Sequence, residues 1–189
     1  MSAFEFILIL IAIVAGFAIS EILAAWGRLV RARVSLRHAA LYLASTAFLL
    51  ALIVRYIWVL WIFNQEEWNF AAFLLAFAPI VVLALAAYVI SVPRVSAPDV
   101  LGHYFNEARP FYYLLVLFLV LWTVSDLFNV PRYTVASLLP PGIGLALRSL
   151  AATGFLALAH AKKPVVHGVL LSLLFAVLAV VSAAFVPQL

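Results

Sequence analysis

The stretch FAAFLLAFAPIVVLALAAYVIS, residues 70–91, contains no charged residue and decides the fold class of the whole chain. An α-helix needs about 20 apolar residues to cross the hydrocarbon core of a bilayer, and this run has that length. Pro79 lies near its middle and leaves the carbonyl of Leu75 without its helical donor, which predicts a kink. The stretch is therefore predicted to be a membrane-spanning helix.

Five further apolar runs have a similar length, and none shows the alternation of polar and apolar residues that a membrane β-barrel requires. Hydrophobic residues make up 69% of the 189 residues, whereas a soluble domain averages about 45–50%. The sequence predicts an all-α, polytopic integral membrane protein with short loops, and residues 1–189 form a single helical-bundle domain. The six spanning helices are expected at about 4–26, 38–63, 70–91, 110–129, 138–160 and 165–186.

The segment between the third and fourth runs is amphipathic. Apolar residues recur at helical spacing from Val100 to Phe105, while Asp99, His103 and Glu107 share the other side. This pattern predicts a short helix, at about 97–108, that lies along the membrane surface. The alternative is an ordinary loop.

Basic residues are distributed unevenly between the two sides of the predicted bundle. The loops opposite to the termini hold eight of them: Arg28, Arg31, Arg33, Arg37, Arg94, Arg109, Lys162 and Lys163. The loops on the other side hold only Arg132. Because cytoplasmic loops are enriched in Lys and Arg, both termini are predicted to be extracytoplasmic. The net charge of +4 is explained by topology, so the bilayer is the expected partner and nucleic acid is not.

Two arginines remain inside apolar runs, Arg55 in LIVRYIWVLW (residues 52–61) and Arg148 in helix 5. Both are placed about 12 Å from the outer end of their helices. Side chains tilt toward the N-terminus of a helix, so Arg148 leans toward water and Arg55 leans deeper into the core. An arginine at the core centre costs about 2.5–3.5 kcal/mol on insertion scales, so Arg55 needs an acidic partner or a wet cavity.

Asp126, near the outer end of helix 4, is the first candidate partner of Arg55, and Glu5 in helix 1 is the second. Trp58 lies three residues after Arg55 and is expected to stack on its guanidinium. A solute- or ion-binding site is predicted from these residues and two neighbours of Asp126: Arg55, Arg148, Asp126, Glu5, Trp58, Trp122 and Thr123. Alternatively, the same charges form ion pairs that lock the bundle.

Glu21 and Ser20, near the inner end of helix 1, form a secondary candidate site. In the alternative interpretation, Glu21 pairs with an arginine of residues 28–37 at the membrane interface. The four histidines, at positions 38, 103, 160 and 167, map to the same edge with no metal-ligand spacing, and the chain has no cysteine. The sequence therefore predicts no metal and no cofactor.

Small residues recur every four positions in helix 1 and helix 6, and helix 5 has two of them eight positions apart with Arg148 between them. These stripes are Gly16, Ser20 and Ala24; Gly168, Ser172 and Ala176; and Gly144 and Ala152. Small residues let helices approach closely in lipid, so the stripes are expected to be protein–protein contacts. They fit packing within one chain or the contact of a homo-oligomer, and a homo-oligomer is predicted.

The opening FEFILILIAIVAGFAISEIL, residues 4–23, with the arginine-rich segment after it, resembles the start of small uncharacterised bacterial membrane proteins. The resemblance covers about the first 35 residues and implies a bacterial inner-membrane location, but no activity. No catalytic motif is present, so an enzyme is not predicted. The charges favour a small transporter or channel subunit for an ion or a polar or anionic solute. The alternative is a non-catalytic assembly, sensor or structural partner protein.

Overall fold

The computed structural model describes residues 3–61, 69–91, 100–133 and 141–183, with side chains for 5–60, 69–91, 100–126 and 142–182. These ranges contain no strand. Each of the helices contains a stretch long and apolar enough to cross a membrane, so the prediction of an all-α chain with six such helices is confirmed. The helices are α1 Ala3–Arg31, α2 Leu36–Trp61, α3 Phe70–Ile90, α4 Val100–Tyr133, α5 Pro141–His160 and α6 Pro164–Ala183.

The predicted helix ends at 63, 138 and 186, the predicted start of a short helix at 97, and Arg94 lie outside the described residues. α1 continues past its predicted end at residue 26 to Arg31. A hydrogen-bonded turn then ends it, in which Val34 N–H donates to the Leu29 carbonyl at 3.2 Å and Arg33 N–H donates to the Val30 carbonyl at 3.0 Å. Arg33 has a φ of 51°, the left-handed conformation that this type of helix end requires.

The separate surface helix predicted at 97–108 is wrong, because residues 100–108 are the first turns of α4. The fourth span was predicted to begin at about residue 110, which is a proline, but α4 continues through it as a helix held by burial. One side of α4 is buried continuously on both sides of Pro110, through Val100, Tyr104, Ala108, Phe111, Leu115 and Phe118. Packing therefore outweighs the local effect of the proline.

α4 makes the most extensive contacts of any helix in the bundle. It packs against α3, α5 and α2; α1 packs against α3 and α2; and α6 packs against α2 and α5. α3 remains helical through Pro79, which is buried. The Tyr56 hydroxyl, from α2, donates a hydrogen bond at 2.6 Å to the carbonyl of Ala76, within the turn that precedes the proline.

Side-chain contacts show that the helices alternate in direction. Arg28, late in α1, bonds to Ser91 at the end of α3, and the early parts of α2, α4 and α6 meet through Ser45, Tyr104 and His167. The late parts of α1 and α3 and the early parts of α2, α4 and α6 form one end of the bundle. We call it the basic end, because the residues near it include Arg28, Arg31, Arg33, Arg37, Arg109, Lys162 and Lys163. Late α4 and early α5 meet at the opposite end.

The stripes of small residues do not pack within the chain at their glycines. A methyl group built on Gly16, Gly144 or Gly168 would meet no described atom within 4 Å. Close packing instead occurs at Gly154 of α5, where a methyl group would lie 3.4 Å from the side chain of Leu174 in α6. Ala152, the other member of the helix 5 stripe, packs against the core of the same chain. Within the described residues, intrachain packing is therefore missing at these three glycines and present at Ala152, and the homo-oligomer contact stays a prediction.

Candidate functional site

An ion pair joins α4 to α5 at the opposite end of the bundle. Arg148 Nη2 contacts Asp126 Oδ2, and the two side chains are 25% and 24% exposed. Asp126 and Trp122 are four residues apart and so share one face of α4. The Cζ atom of Arg148 lies 5.0 Å from the centre of the Trp122 ring, so the guanidinium is held by a carboxylate and by an aromatic ring.

Arg55 lies beside this pair, on α2. Its side chain is only 8% exposed, and the positive charge of Arg148 acts on it through space. The next residue, Tyr56, makes an edge contact with Trp122, with ring centroids 5.6 Å apart. Three helices therefore bring two guanidinium groups, one carboxylate and two aromatic rings together. We call Arg55, Arg148, Asp126 and Trp122 the arginine cluster.

The arginine cluster differs from the predicted site in three respects. Asp126 is bonded to Arg148, whereas the sequence had favoured Arg55 as its partner. Trp58 is 53% exposed on the surface of the bundle. The tryptophan that contacts a guanidinium is Trp122, and the guanidinium is that of Arg148. Thr123 donates its hydroxyl proton to the Leu119 carbonyl of its own helix at 2.8 Å.

Glu5 is exposed in the first turn of α1. An acidic side chain there is stabilised by the positive end of the helix dipole, whatever its other contacts. The position of Glu5 at the start of α1 is therefore enough to explain why an acidic residue is favourable there.

Glu21 and Arg28 form the second ion pair, in α1 near the basic end, at 2.8 Å. Ser91, at the end of α3, donates its hydroxyl proton to Glu21 Oε1 at 2.5 Å and accepts a bond from Arg28 at 3.0 Å. Ser20 is exposed beside them. Glu21 thus pairs with an arginine of residues 28–37, as the alternative interpretation expected, and Ser91 is a member that sequence spacing did not reveal.

Ser91→Ala is expected to lower the free energy of unfolding by about 1 kcal/mol, because the pair loses a donor and an acceptor that tie α1 to α3. Ser172→Ala is the matched control, since Ser172 is exposed and bonds to the Gly168 carbonyl of its own helix. Reversible unfolding in mixed detergent micelles measures both. Equal stability of the two variants would refute the tie between α1 and α3.

A fully buried polar network lies nearer the basic end, and sequence analysis missed it. Ser45 of α2, Tyr104 and Tyr112 of α4 and His167 of α6 are all 0% exposed. The Tyr104 hydroxyl lies 2.8 Å from that of Tyr112 and 2.7 Å from His167 Nδ1, and Ser45 Oγ lies 3.0 Å from the Tyr112 hydroxyl. A sequence signal existed: Tyr104, Ala108 and Tyr112 recur every four residues, on the buried side of α4.

The hydrogen bonds of His167 fix the position of one ring proton. Its Nε2 lies 3.0 Å from the Ala161 carbonyl, which can only accept, so Nε2 carries a proton. Nδ1 of the neutral ring then accepts the proton of Tyr104. Both ring nitrogens are used in this way, so His167 offers no free nitrogen for a metal or a haem.

The arginine cluster is the part of the described chain that best fits a ligand. Guanidinium groups bind carboxylates and phosphates through paired hydrogen bonds, and intramembrane charges often mark solute pathways. The buried network has its polar groups satisfied by one another, which suits a structural role. Comparison of the chain with protein-family models, curated proteins and solved structures gave no match in any of the three.

Proposed function

We propose that the protein is a transporter or channel subunit that binds a small anionic or polar solute at the arginine cluster. The observation that carries the proposal is that the charge of Arg148, on α5, acts on the buried Arg55 of α2, and that Arg148 is bonded to the Asp126 carboxylate of α4. Like charges repel strongly where water is excluded. An anion between Arg55 and Arg148 would lower that repulsion.

In this proposal Asp126 acts as an internal substitute for the solute. It neutralises Arg148 in the resting state, and an incoming anion competes with it for the guanidinium. The ring of Trp122 keeps Arg148 in place during the exchange, because cation–π attraction does not depend on Asp126. Arg55 supplies the second positive charge.

The orientation proposed for the chain follows from the basic end. Cytoplasmic segments are enriched in Lys and Arg, so this end faces the cytoplasm and both termini lie outside. The arginine cluster is then in the outer half of the bundle and receives solute from the extracytoplasmic side. The resemblance of the N-terminal segment supports the inner membrane of a bacterium as the location.

Arg55→Gln and Arg148→Gln are each expected to reduce solute flux about tenfold or more, because each removes a charged hydrogen-bond donor. The protein is reconstituted into liposomes, and efflux of chloride, acetate and succinate is measured. Arg37→Gln is the control, since it removes the same charge from an exposed residue of the basic end. Asp126→Asn is expected to keep flux, because it removes the competitor and not a ligand.

Flux that is the same in wild type, Arg55→Gln and Arg148→Gln would reject the site. Absence of flux for all three anions in the wild type would favour the second candidate function, a non-catalytic assembly, sensor or structural partner. The observation that favours this candidate is the ion pair itself, closed between Arg148 and Asp126 and stacked on Trp122. Such a pair holds α4 against α5 with no solute.

A further inference from the structure

A cluster of polar and charged side chains, separate from the arginine cluster, lies on the surface of the bundle at the basic end, where α4 packs against α5. The Cζ atom of Arg109 lies 5.8 Å from the centre of the Tyr113 ring, and the Tyr113 hydroxyl lies 3.3 Å from His160 Nε2. These three side chains are exposed. They link the two helices across the outside of the protein, so they face the surroundings and not the core.

The hydrogen bonds define how these groups are held. His160 Nδ1 lies 2.9 Å from the Leu156 carbonyl and must donate to it, so in the neutral ring Nε2 accepts the proton of Tyr113. The Tyr113 side chain of α4 is thereby held against α5, and its ring attracts the Arg109 guanidinium by a cation–π contact. Arg109 is exposed, so its guanidinium donors are open to a ligand from the surroundings.

Two lysines follow immediately after His160. Lys162 and Lys163 are exposed and lie in the turn between α5 and α6. The turn is anchored on both sides, because the Ala161 carbonyl accepts from His167 and the Lys163 carbonyl accepts from the N–H of Val166 at 3.1 Å. Both ammonium groups therefore start from a fixed backbone beside the end of α5.

The charged residues of this surface are all positive, and the neighbouring surface along α4 and α5 is apolar. Glu107, two residues before Arg109, points to a different side of α4. Toward the middle of the bundle, the exposed residues that continue the faces of Tyr113 and His160 are Leu117 and Leu156. Cationic groups above an apolar strip match the chemistry of an anionic phospholipid.

We propose that this surface, made of Arg109, Tyr113, His160, Lys162 and Lys163, binds an anionic phospholipid. Its phosphate lies between Arg109 and the lysine turn. Its acyl chains lie along Leu117 and Leu156. Arg109 is the expected anchor, because a guanidinium matches two phosphate oxygens at once. The site is independent of the arginine cluster, which lies at the other end of the bundle.

The test measures lipid retention by native mass spectrometry of the purified protein in detergent, with phosphatidylglycerol or phosphatidylcholine of identical acyl chains added. Retention of phosphatidylglycerol is expected to fall about tenfold in Arg109→Gln but less than about twofold in Arg37→Gln. Arg37 is the matched control, because it is an exposed arginine of the same end on α2. Lys162→Gln with Lys163→Gln is a second variant, expected to lose retention as Arg109→Gln does.

Three results would overturn the proposal. Equal retention of phosphatidylcholine would show that only the acyl chains are bound. An equal loss in Arg37→Gln would show a general effect of charge. Displacement of the lipid by millimolar inorganic phosphate would show a site for free phosphate in place of a lipid headgroup.

Discussion

Replacement of His167 by phenylalanine is expected to lower the free energy of unfolding by about 3 kcal/mol. Phenylalanine fills a similar volume, so the loss is almost entirely polar. The change removes the bond between Tyr104 and His167, while the Tyr104 hydroxyl keeps its bonds to Tyr112 and Ser45, and it leaves the Ala161 carbonyl without its donor. A lost hydrogen bond costs about 0.5–1.5 kcal/mol and an unsatisfied buried polar group about 1–3 kcal/mol. Equilibrium unfolding in mixed detergent micelles gives the value.

The matched control is His38→Phe, because His38 is exposed and contacts Ser35 three residues before it. It is expected to change stability by less than about 0.5 kcal/mol. Tyr104→Phe combined with His167→Phe removes both partners of one bond, so its loss is expected to be smaller than the sum of the two single losses by at least about 1 kcal/mol. Losses that simply add would contradict the bond between α4 and α6.

Asp126→Leu is expected to lower the free energy of unfolding by about 2 kcal/mol. Breaking a buried ion pair costs about 3–5 kcal/mol, and this pair is a quarter exposed, so water stabilises part of the abandoned charge. Asp126→Leu combined with Arg148→Met is expected to recover most of the loss, since an apolar pair needs no counter-charge. The same unfolding measurement applies.

This double variant also separates the two candidate functions. A bundle lock predicts that the recovered protein works as well as the wild type in its assembly. A solute site predicts that the recovered protein stays folded and loses flux, because Arg148 is gone. A double variant no more stable than Asp126→Leu would contradict the role of Asp126 as the counter-charge of Arg148.

The fold could be predicted from the sequence wherever one physical effect dominates. Runs of about 20 predominantly apolar residues fit a bilayer and little else, so the number of helices was correct. The start of α4 was missed because residues 100–108 look amphipathic by themselves, whereas one side of the helix is buried continuously on both sides of Pro110. The true end of α1 depends on a left-handed Arg33, a conformation that sequence composition does not announce.

The candidate site was predictable in its members more than in its pairings. Asp126 and Arg148 were named because charges are rare inside apolar helices, and Trp122 because it lies four residues before Asp126 on the same face. Trp58 was misplaced because a spacing of three residues places it near Arg55 on α2, but this spacing does not show which side of α2 faces the core. The buried network was missed because two of its bonds join residues 63 and 67 positions apart. The spacing of residues within one helix does not predict such contacts.

The most direct test of the arginine cluster is the melting temperature of the purified protein with chloride, acetate and succinate at constant ionic strength. A ligand that binds only the folded protein raises its stability with concentration. We expect one of these anions to raise the melting temperature of wild type and Asp126→Asn, and to leave Arg55→Gln and Arg148→Gln unchanged. An identical response of all four proteins to every anion would contradict the claim that Arg55 and Arg148 bind an anion.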